Sequence, residues 1–175
     1  LKSQTYEDIE IIFFDDNSTD NSLEVIQKYY DVKIIKNKKQ TNYGSINQLN
    51  AFKNAINLSS GTLIFFLDSD DYFHEKKVET VVNYFKNDIS KKISFDLPVI
   101  VQNNLQKKET GRKNIFKTYW PYIHPTSCIT IRKEIFDELF ASISSNSFTD
   151  VWMDLRISIF SQYILNSLDI INENL

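Results

Sequence analysis

Ile9 to Phe14 is a short, mainly apolar run closed by Asp15-Asp16-Asn17-Ser18, which reads as a buried strand opening into a polar turn. Ser18, Thr19 or Asp20 can cap the helix that follows, where Leu23, Ile26 and Tyr30 recur at the spacing of one apolar face. A second strand is predicted over Val32 to Ile35. After a polar, basic stretch from Asn37 to Tyr43, the positions Ile46, Leu49, Phe52 and Ile56 resume helical spacing beyond Gly44 and stop at Ser59-Ser60-Gly61. Thr62 to Leu67 reads as a third strand, apolar as strands covered on both faces are, and it ends in Asp68-Ser69-Asp70-Asp71. Val78, Val81, Val82 and Phe85 mark a third helix, with Asp71 as its expected cap.

This alternation of strand and helix over residues 1–87 predicts parallel crossovers in an α/β fold, whose ligands collect at the carboxyl ends of strands. Both acidic clusters fall at such ends. The second half is less regular. Ile93 to Asn103 reads as strand and Lys107 to Asn114 as a charged loop; Ile135, Leu139 and Ile143 mark a short helix, Asp150 to Leu165 a longer one, and Asp169 to Asn172 a last strand. No repeat or linker divides the chain, so its 175 residues are expected to form one domain with halves at 1–87 and 88–175.

Composition narrows the chemistry. Twenty Lys and Arg against 23 Asp and Glu give a net charge of −3, which leaves no global basic field to hold a nucleic acid. The single Cys128 can form neither an internal disulfide nor a thiolate zinc cage, and a cytoplasmic setting is expected. Two histidines, His74 and His124, argue against a multi-histidine metal site. Gly44, Gly61 and Gly111 lie too far apart for a Walker A loop or a dinucleotide fingerprint. The apolar runs Ile11 to Phe14 and Leu63 to Leu67 are far shorter than the roughly 20 residues that span a bilayer.

Asp68-Ser69-Asp70-Asp71 places three carboxylates within four residues, a repulsive arrangement unless a cation or hydrogen-bond donors neutralise it. Oxygen-only ligands favour magnesium or manganese over zinc, and such ions bind through one or two carboxylates plus substrate phosphates. A solvated turn is the plain alternative for an isolated D-x-D. A calcium loop starting at Asp16 fails on spacing, because its sixth and twelfth positions hold Asn21 and Gln27 instead of Gly and an acid.

The order of these motifs resembles the family 2 glycosyltransferases, which use nucleotide sugars and have the GT-A fold, a mostly parallel sheet with helices on both faces. Gln4-Thr5-Tyr6, Ile9-Glu10-Ile11-Ile12 and Asp15-Asp16-Asn17-Ser18-Thr19-Asp20-Asn21-Ser22 look like the family's Q-T-Y, E-I-I-V and D-D-G-S-x-D-x-S. Asn42-Tyr43-Gly44 is similar to its N-x-G, and Gly61 to Asp71 to its G-E-Y-I-x-F-L-D-S-D-D. By that resemblance Asp16 hydrogen-bonds the uracil of a uridine diphosphate sugar, Asp68 helps hold the nucleoside, and Asp70 binds a Mn2+ or Mg2+ ion bridging the diphosphate; Asp15 is expected to be structural. Lys53 is the candidate diphosphate contact on that helix, although Phe52-Lys53 depart from the Arg-Asn that the family often shows there.

In the second half the resemblance supplies the acceptor side. His124-Pro125-Thr126-Ser127-Cys128 followed by Arg132 looks like the polar strand before the acceptor helix, with His124 as a candidate phosphate contact or a structural histidine. Asp150-Val151-Trp152-Met153-Asp154-Leu155-Arg156 resembles the family's E-D-x-x-x-x-x-R helix start, so Asp150 is the implied general base, the plain alternative being a helix N-terminal carboxylate, and Asp154, one turn on, is open to orienting the acceptor or pairing with an exposed basic residue. Trp120 and Trp152 are open to sugar stacking or core packing, and Lys107-Lys108 with Arg112-Lys113 to an anionic lipid surface or plain solvation.

The implied activity is inverting, metal-dependent sugar transfer to a hydroxyl of a glycan or lipid-linked saccharide at the inner face of a membrane. A nucleotide- or glycan-binding fragment without turnover and a sugar nucleotidyltransferase are the alternatives. The resemblance enters late in the family's first helix, so the family's first strand is expected to be missing at the start, its place left as an open edge or covered by a partner chain such as a second copy.

Overall fold

The computed structural model describes residues 1–29, 31–38, 40–103, 105–108, 125–136 and 170–174. β1 (Ile12–Asp15), α1 (Ser22–Tyr29), β2 (Lys33–Lys36), α2 (Gly44–Leu58), β3 (Leu63–Phe65) and α3 (Lys77–Asn87) follow the predicted order. β4 (Ile93–Leu97), β5 (Val99–Gln102), β6 (Leu105–Lys108), β7 (Ile129–Arg132) and β8 (Ile170–Asn174) complete the described elements.

The α/β class holds, and the pairing is mixed. β1 and β2 form a parallel ladder, with Ile12 opposite Lys33 and Asp15 opposite Lys36. A second sheet has the order β3-β7-β4-β8, in which β7 runs antiparallel to both β3 and β4 while β8 is parallel to β4. Among the described residues no ladder joins β1 to β3. Two other ties connect them. α2 packs on β1 and also sends Leu49, Phe52 and Ile56 into the cluster that contains Ile64 and Phe66. Glu10, just before β1, pairs with Lys33 and accepts the Ser60 amide at 2.8 Å. The Lys33 hydrogen bond and the Ser60 amide hold the Glu10 carboxyl down at about 2.

The two faces of the second sheet differ in chemistry. Register puts Ile64, Ile131 and Ile93 in one row across β3, β7 and β4, on the face covered by α2. The next row, Phe65, Thr130 and Ser94, lies on the opposite face, where α3 supplies Val81 and Phe85. Asp96, two residues past Ser94, shares that face, and Ser94, Asp96 and Thr130 are all buried. Thr130 Oγ1 has no hydrogen-bond partner among the described residues. Burying an unpaired hydroxyl costs about 1–3 kcal/mol, so Thr130→Val, which keeps the shape and removes the hydroxyl, should raise the unfolding free energy by about 1 kcal/mol. Urea unfolding of the two proteins measures this, and a less stable variant would show that the hydroxyl has a partner.

Three local expectations change. Ile93 to Asn103 is two strands, β4 and β5, because Pro98 has no N–H to continue the ladder. The charged segment after Asn103 begins as strand β6, which pairs antiparallel with β5 from Val99–Lys108 to Gln102–Leu105. Asn103 takes the left-handed conformation (φ 52) that a two-residue hairpin turn needs. Thr126–Cys128 is a 3-10 turn, and strand starts only at Ile129. Arg132, at the end of β7, is structural: its guanidinium donates to the Lys91 and Phe85 carbonyls at 2.6 and 3.0 Å. The short helix expected after Ile135 is described only to Phe136, and the one over Asp150 to Leu165 lies outside the described residues.

Candidate active site

At the end of β1 the two aspartates separate by role. Asp15 is 4% exposed and its Oδ1 accepts the Ser18 amide at 3.0 Å, closing a turn in which Asn17 takes φ 65. Its structural role is as expected. Asp16 is exposed, its carboxylate accepting from the Asn37 side chain and its carbonyl from Gln40 Nε2 at 2.6 Å. The loop that supplies these donors is folded onto α2 by Asn47, whose amide oxygen accepts Thr41 N–H at 2.8 Å and whose nitrogen donates to the Thr41 carbonyl at 3.0 Å. A carboxylate offers about four acceptor positions, so Asp16 keeps capacity for a further donor.

After β3, Phe66 is buried against Phe52 of α2, ring centres 4.7 Å apart, and the chain emerges at Asp68. Asp68 is half-buried, Asp70 and Asp71 are exposed, and Tyr72 is 71% exposed. Both backbone groups of Asp68 are engaged. Its N–H donates to Ser127 Oγ at 2.9 Å, and its carbonyl accepts Asp71 N–H at 3.2 Å.

Asp71 does not cap α3, because the helix begins six residues later and no side chain of its own first turn makes a cap bond. Gln4 takes that role from 74 residues away. Its Oε1 accepts Val78 N–H at 3.0 Å, and its Nε2 donates to the His74 carbonyl at 2.8 Å. Thr5 adds a backbone bond to the Glu75 carbonyl at 2.9 Å and a hydroxyl bond to Glu79 at 2.7 Å.

Under this segment lies a buried ion pair. Lys77 Nζ sits 2.7 Å from Asp96 Oδ2 with both side chains 1% exposed, and it also donates to the Ser127 carbonyl at 2.8 Å. The ammonium lies 4.5 Å from the centre of the Phe73 ring. Burial pushes the Asp96 carboxyl up, with Lys77 pulling it back, while burial and the neighbouring Asp96 carboxylate push the Cys128 thiol far above the usual thiol range. Cys128 is therefore a packing residue without nucleophilic character. Sequence reasoning missed Gln4, Asn47, Lys77, Asp96 and Ser127 in these roles. An acid inside the apolar strand Ile93–Leu97 was the one available signal, since a buried charge needs a partner.

Lys53 is exposed on α2, next to Phe52. His124, Asp150, Asp154, Trp120 and Trp152 lie outside the described residues. Among the described residues no three acidic, histidine or cysteine side chains converge on a point, so the protein does not form a closed metal cage there. The Asp68–Asp71 turn instead fits the open mode of a hard cation: exposed oxygen ligands in few number, with phosphate oxygens completing the shell.

The profile of glycosyl transferase family 2 matches residues 1–140. The chain belongs to that family. Among curated relatives, this family 2 chain is 37% identical over 86 residues to the Escherichia coli UDP-Glc:alpha-D-GlcNAc-diphosphoundecaprenol beta-1,3-glucosyltransferase WfaP, across 49% of this chain and 33% of that one. It is 31% identical over 152 residues to an uncharacterized glycosyltransferase of Nostoc, across 79% of this chain and 46% of the relative. The Staphylococcus aureus poly(ribitol-phosphate) beta-N-acetylglucosaminyltransferase TarP is 39% identical over 86 residues, across 47% of this chain and 25% of that one. The chain thus spans less than half the length of each of these relatives. In structure it overlays residues 1–349 of S. aureus TarS, solved in complex with UDP, with a TM-score of 0.68 at 15% identity, covering 98% of this chain and 52% of that one. The fold is the GT-A glycosyltransferase fold. No helix among the described residues of this family 2 chain is long and apolar enough to cross a membrane.

Proposed function

We propose that this family 2 chain carries the donor site of an inverting, metal-dependent glycosyltransferase. The enzyme moves a sugar from a uridine diphosphate sugar to a hydroxyl of a glycan or lipid-linked saccharide. The observation that carries the reading is the pair of acidic turns at the carboxyl ends of β1 and β3, where Asp15 and the Asp68 backbone are tied down while Asp16 and Asp70 face outward. The activity that names the E. coli relative, a glucosyltransferase from UDP-Glc to a GlcNAc-diphosphoundecaprenol, supports the donor and acceptor classes.

In this scheme Asp16 accepts a hydrogen bond from the uracil ring and Asp68 helps hold the nucleoside. Asp70 ligates Mn2+ or Mg2+, and Lys53 and His124 contact the diphosphate. A cation held there would supply stabilisation of the charge that gathers on the departing diphosphate. Asp150 takes the proton of the acceptor hydroxyl as its oxygen bonds to the anomeric carbon and the bond to the diphosphate breaks, and Asp154 orients the acceptor. The reaction takes place on the cytoplasmic side, and a lipid-linked acceptor brings the exposed Lys107 and Lys108 of β6 to an anionic membrane surface.

Incubating the protein with a panel of nucleotide sugars, manganese and lipid-linked saccharide acceptors should release uridine diphosphate from at least one of them. No release across the panel overturns the reading. Asp70→Ala should weaken manganese-dependent binding of uridine diphosphate by about tenfold or more, on the scale of a lost metal ligand, and leave metal-free binding unchanged. Titration calorimetry decides it: equal affinity with manganese in both proteins removes Asp70 as a ligand.

A further inference from the structure

We propose that Ser127 is a positioning residue for the cation-binding turn, held in place by the buried Lys77–Asp96 pair; the proposal rests on the glycosyltransferase reading of that turn. Asp68 is the turn's hinge point, because its N–H and its carbonyl fix the chain on either side of the bend. The acceptor for its N–H is the hydroxyl of Ser127, a buried residue of the 3-10 turn that Cys128 N–H closes onto the Pro125 carbonyl at 2.9 Å. Ser127 is held from its other end as well, since its carbonyl accepts from Lys77 Nζ at 2.8 Å.

Lys77 Nζ in turn contacts Asp96 Oδ1 at 2.9 Å and Oδ2 at 2.7 Å. Asp96 belongs to β4, which is paired with β7, the strand that leaves the 3-10 turn. The acidic turn is therefore referenced to two neighbouring strands of the sheet through one hydroxyl. On its far side, Gln4 fixes the return at His74 and Val78. Asp70, Asp71 and Tyr72 project to solvent from a segment whose two ends are anchored. A cation that takes few protein ligands gains affinity when those ligands need not be ordered on binding, and here the ordering is done in advance.

Three variants of the protein test this: Ser127→Ala, Ser127→Thr and the double variant Lys77→Met with Asp96→Leu. Two readouts apply, calorimetric affinity for uridine diphosphate with and without manganese, and amide hydrogen exchange over residues 68–71 in the absence of any ligand. Ser127→Ala should speed exchange over 68–71 and weaken manganese-dependent binding about fivefold to tenfold, the scale of one lost hydrogen bond. Metal-free affinity should fall by a smaller factor, because only the hold of Asp68 on the nucleoside is then loosened. Ser127→Thr restores the hydroxyl and should restore both readouts. The double variant keeps a packed core and should loosen the turn as Ser127→Ala does, which separates the effect from any failure to fold. Binding lost in Asp70→Ala but kept in Ser127→Ala overturns this proposal and leaves the glycosyltransferase reading standing. A protein that binds no uridine diphosphate with manganese overturns both.

Discussion

Lys77→Met should lower the unfolding free energy by about 3–5 kcal/mol, since removing one partner of a buried ion pair leaves the other charge stranded. That is a large fraction of the roughly 5–15 kcal/mol by which a domain of this size is stable. Asp96 is 1% exposed, so water cannot replace the lost ammonium without opening the contact between α3 and β4. The penalty should depend on pH in a definite direction. Burial already raises the Asp96 carboxyl, and without Lys77 only the hydrogen bond with the Cys128 side chain opposes that shift. A carboxyl whose folded value lies above its unfolded value favours the folded state below the unfolded value and loses that contribution as pH rises through the folded one. The difference between wild type and Lys77→Met should therefore shrink toward acid, where Asp96 takes up a proton, and grow toward neutrality. Replacing both partners, by methionine and leucine, should recover most of the loss. Urea unfolding of the three proteins at two pH values measures all of this, and a penalty independent of pH would mean that Asp96 finds another partner.

Asp150→Asn should reduce turnover by about 10²–10⁴-fold while affinity for uridine diphosphate stays unchanged, because a general base acts only as the acceptor proton moves. Steady-state kinetics with saturating donor, set beside calorimetry of the same variant, separates the two quantities. Should Asp154→Asn lose turnover while Asp150→Asn keeps it, the base is Asp154.

Much of the first half was legible because its information is local. The apolar runs at Ile11–Phe14 and Leu63–Leu67 mark β1 and β3, and the spacing of Val78, Val81, Val82 and Phe85 marks the buried stripe of α3. The structural role of Asp15 was expected from the family resemblance, and the structure shows how it is filled, by an amide three residues on in the same turn. What was not legible is what the chain brings together from afar. β7 enters between β3 and β4 from more than sixty positions downstream of β3, so the antiparallel pairing leaves no periodicity near either strand. Lys77 reads in sequence as one of two adjacent lysines at the start of a helix, and only the fold places it opposite Asp96, 19 residues on. Gln4 is the same case at longer range. Its amide completes a helix start that contains no capping side chain of its own.

The unlike chemistry of the two sheet faces sets how this protein can drift. On the α2 side, Ile64, Ile93, Ile129 and Ile131 meet Leu49 and Ile56, and contacts without direction accept other apolar side chains of similar total volume. On the α3 side, Lys77 donates to Asp96 and to the Ser127 carbonyl, Ser127 Oγ accepts the Asp68 N–H, and Gln4 bonds the His74 carbonyl and the Val78 N–H, all with fixed donor and acceptor, so a change at one of these side chains strands its partner. Randomising four positions on each face and selecting for folded protein should return many different sequences from the first and few from the second, with Lys77 and Asp96 either both kept or both replaced by apolar residues. Descendants of this chain would diverge one residue at a time beneath one helix and only by matched changes beneath the other.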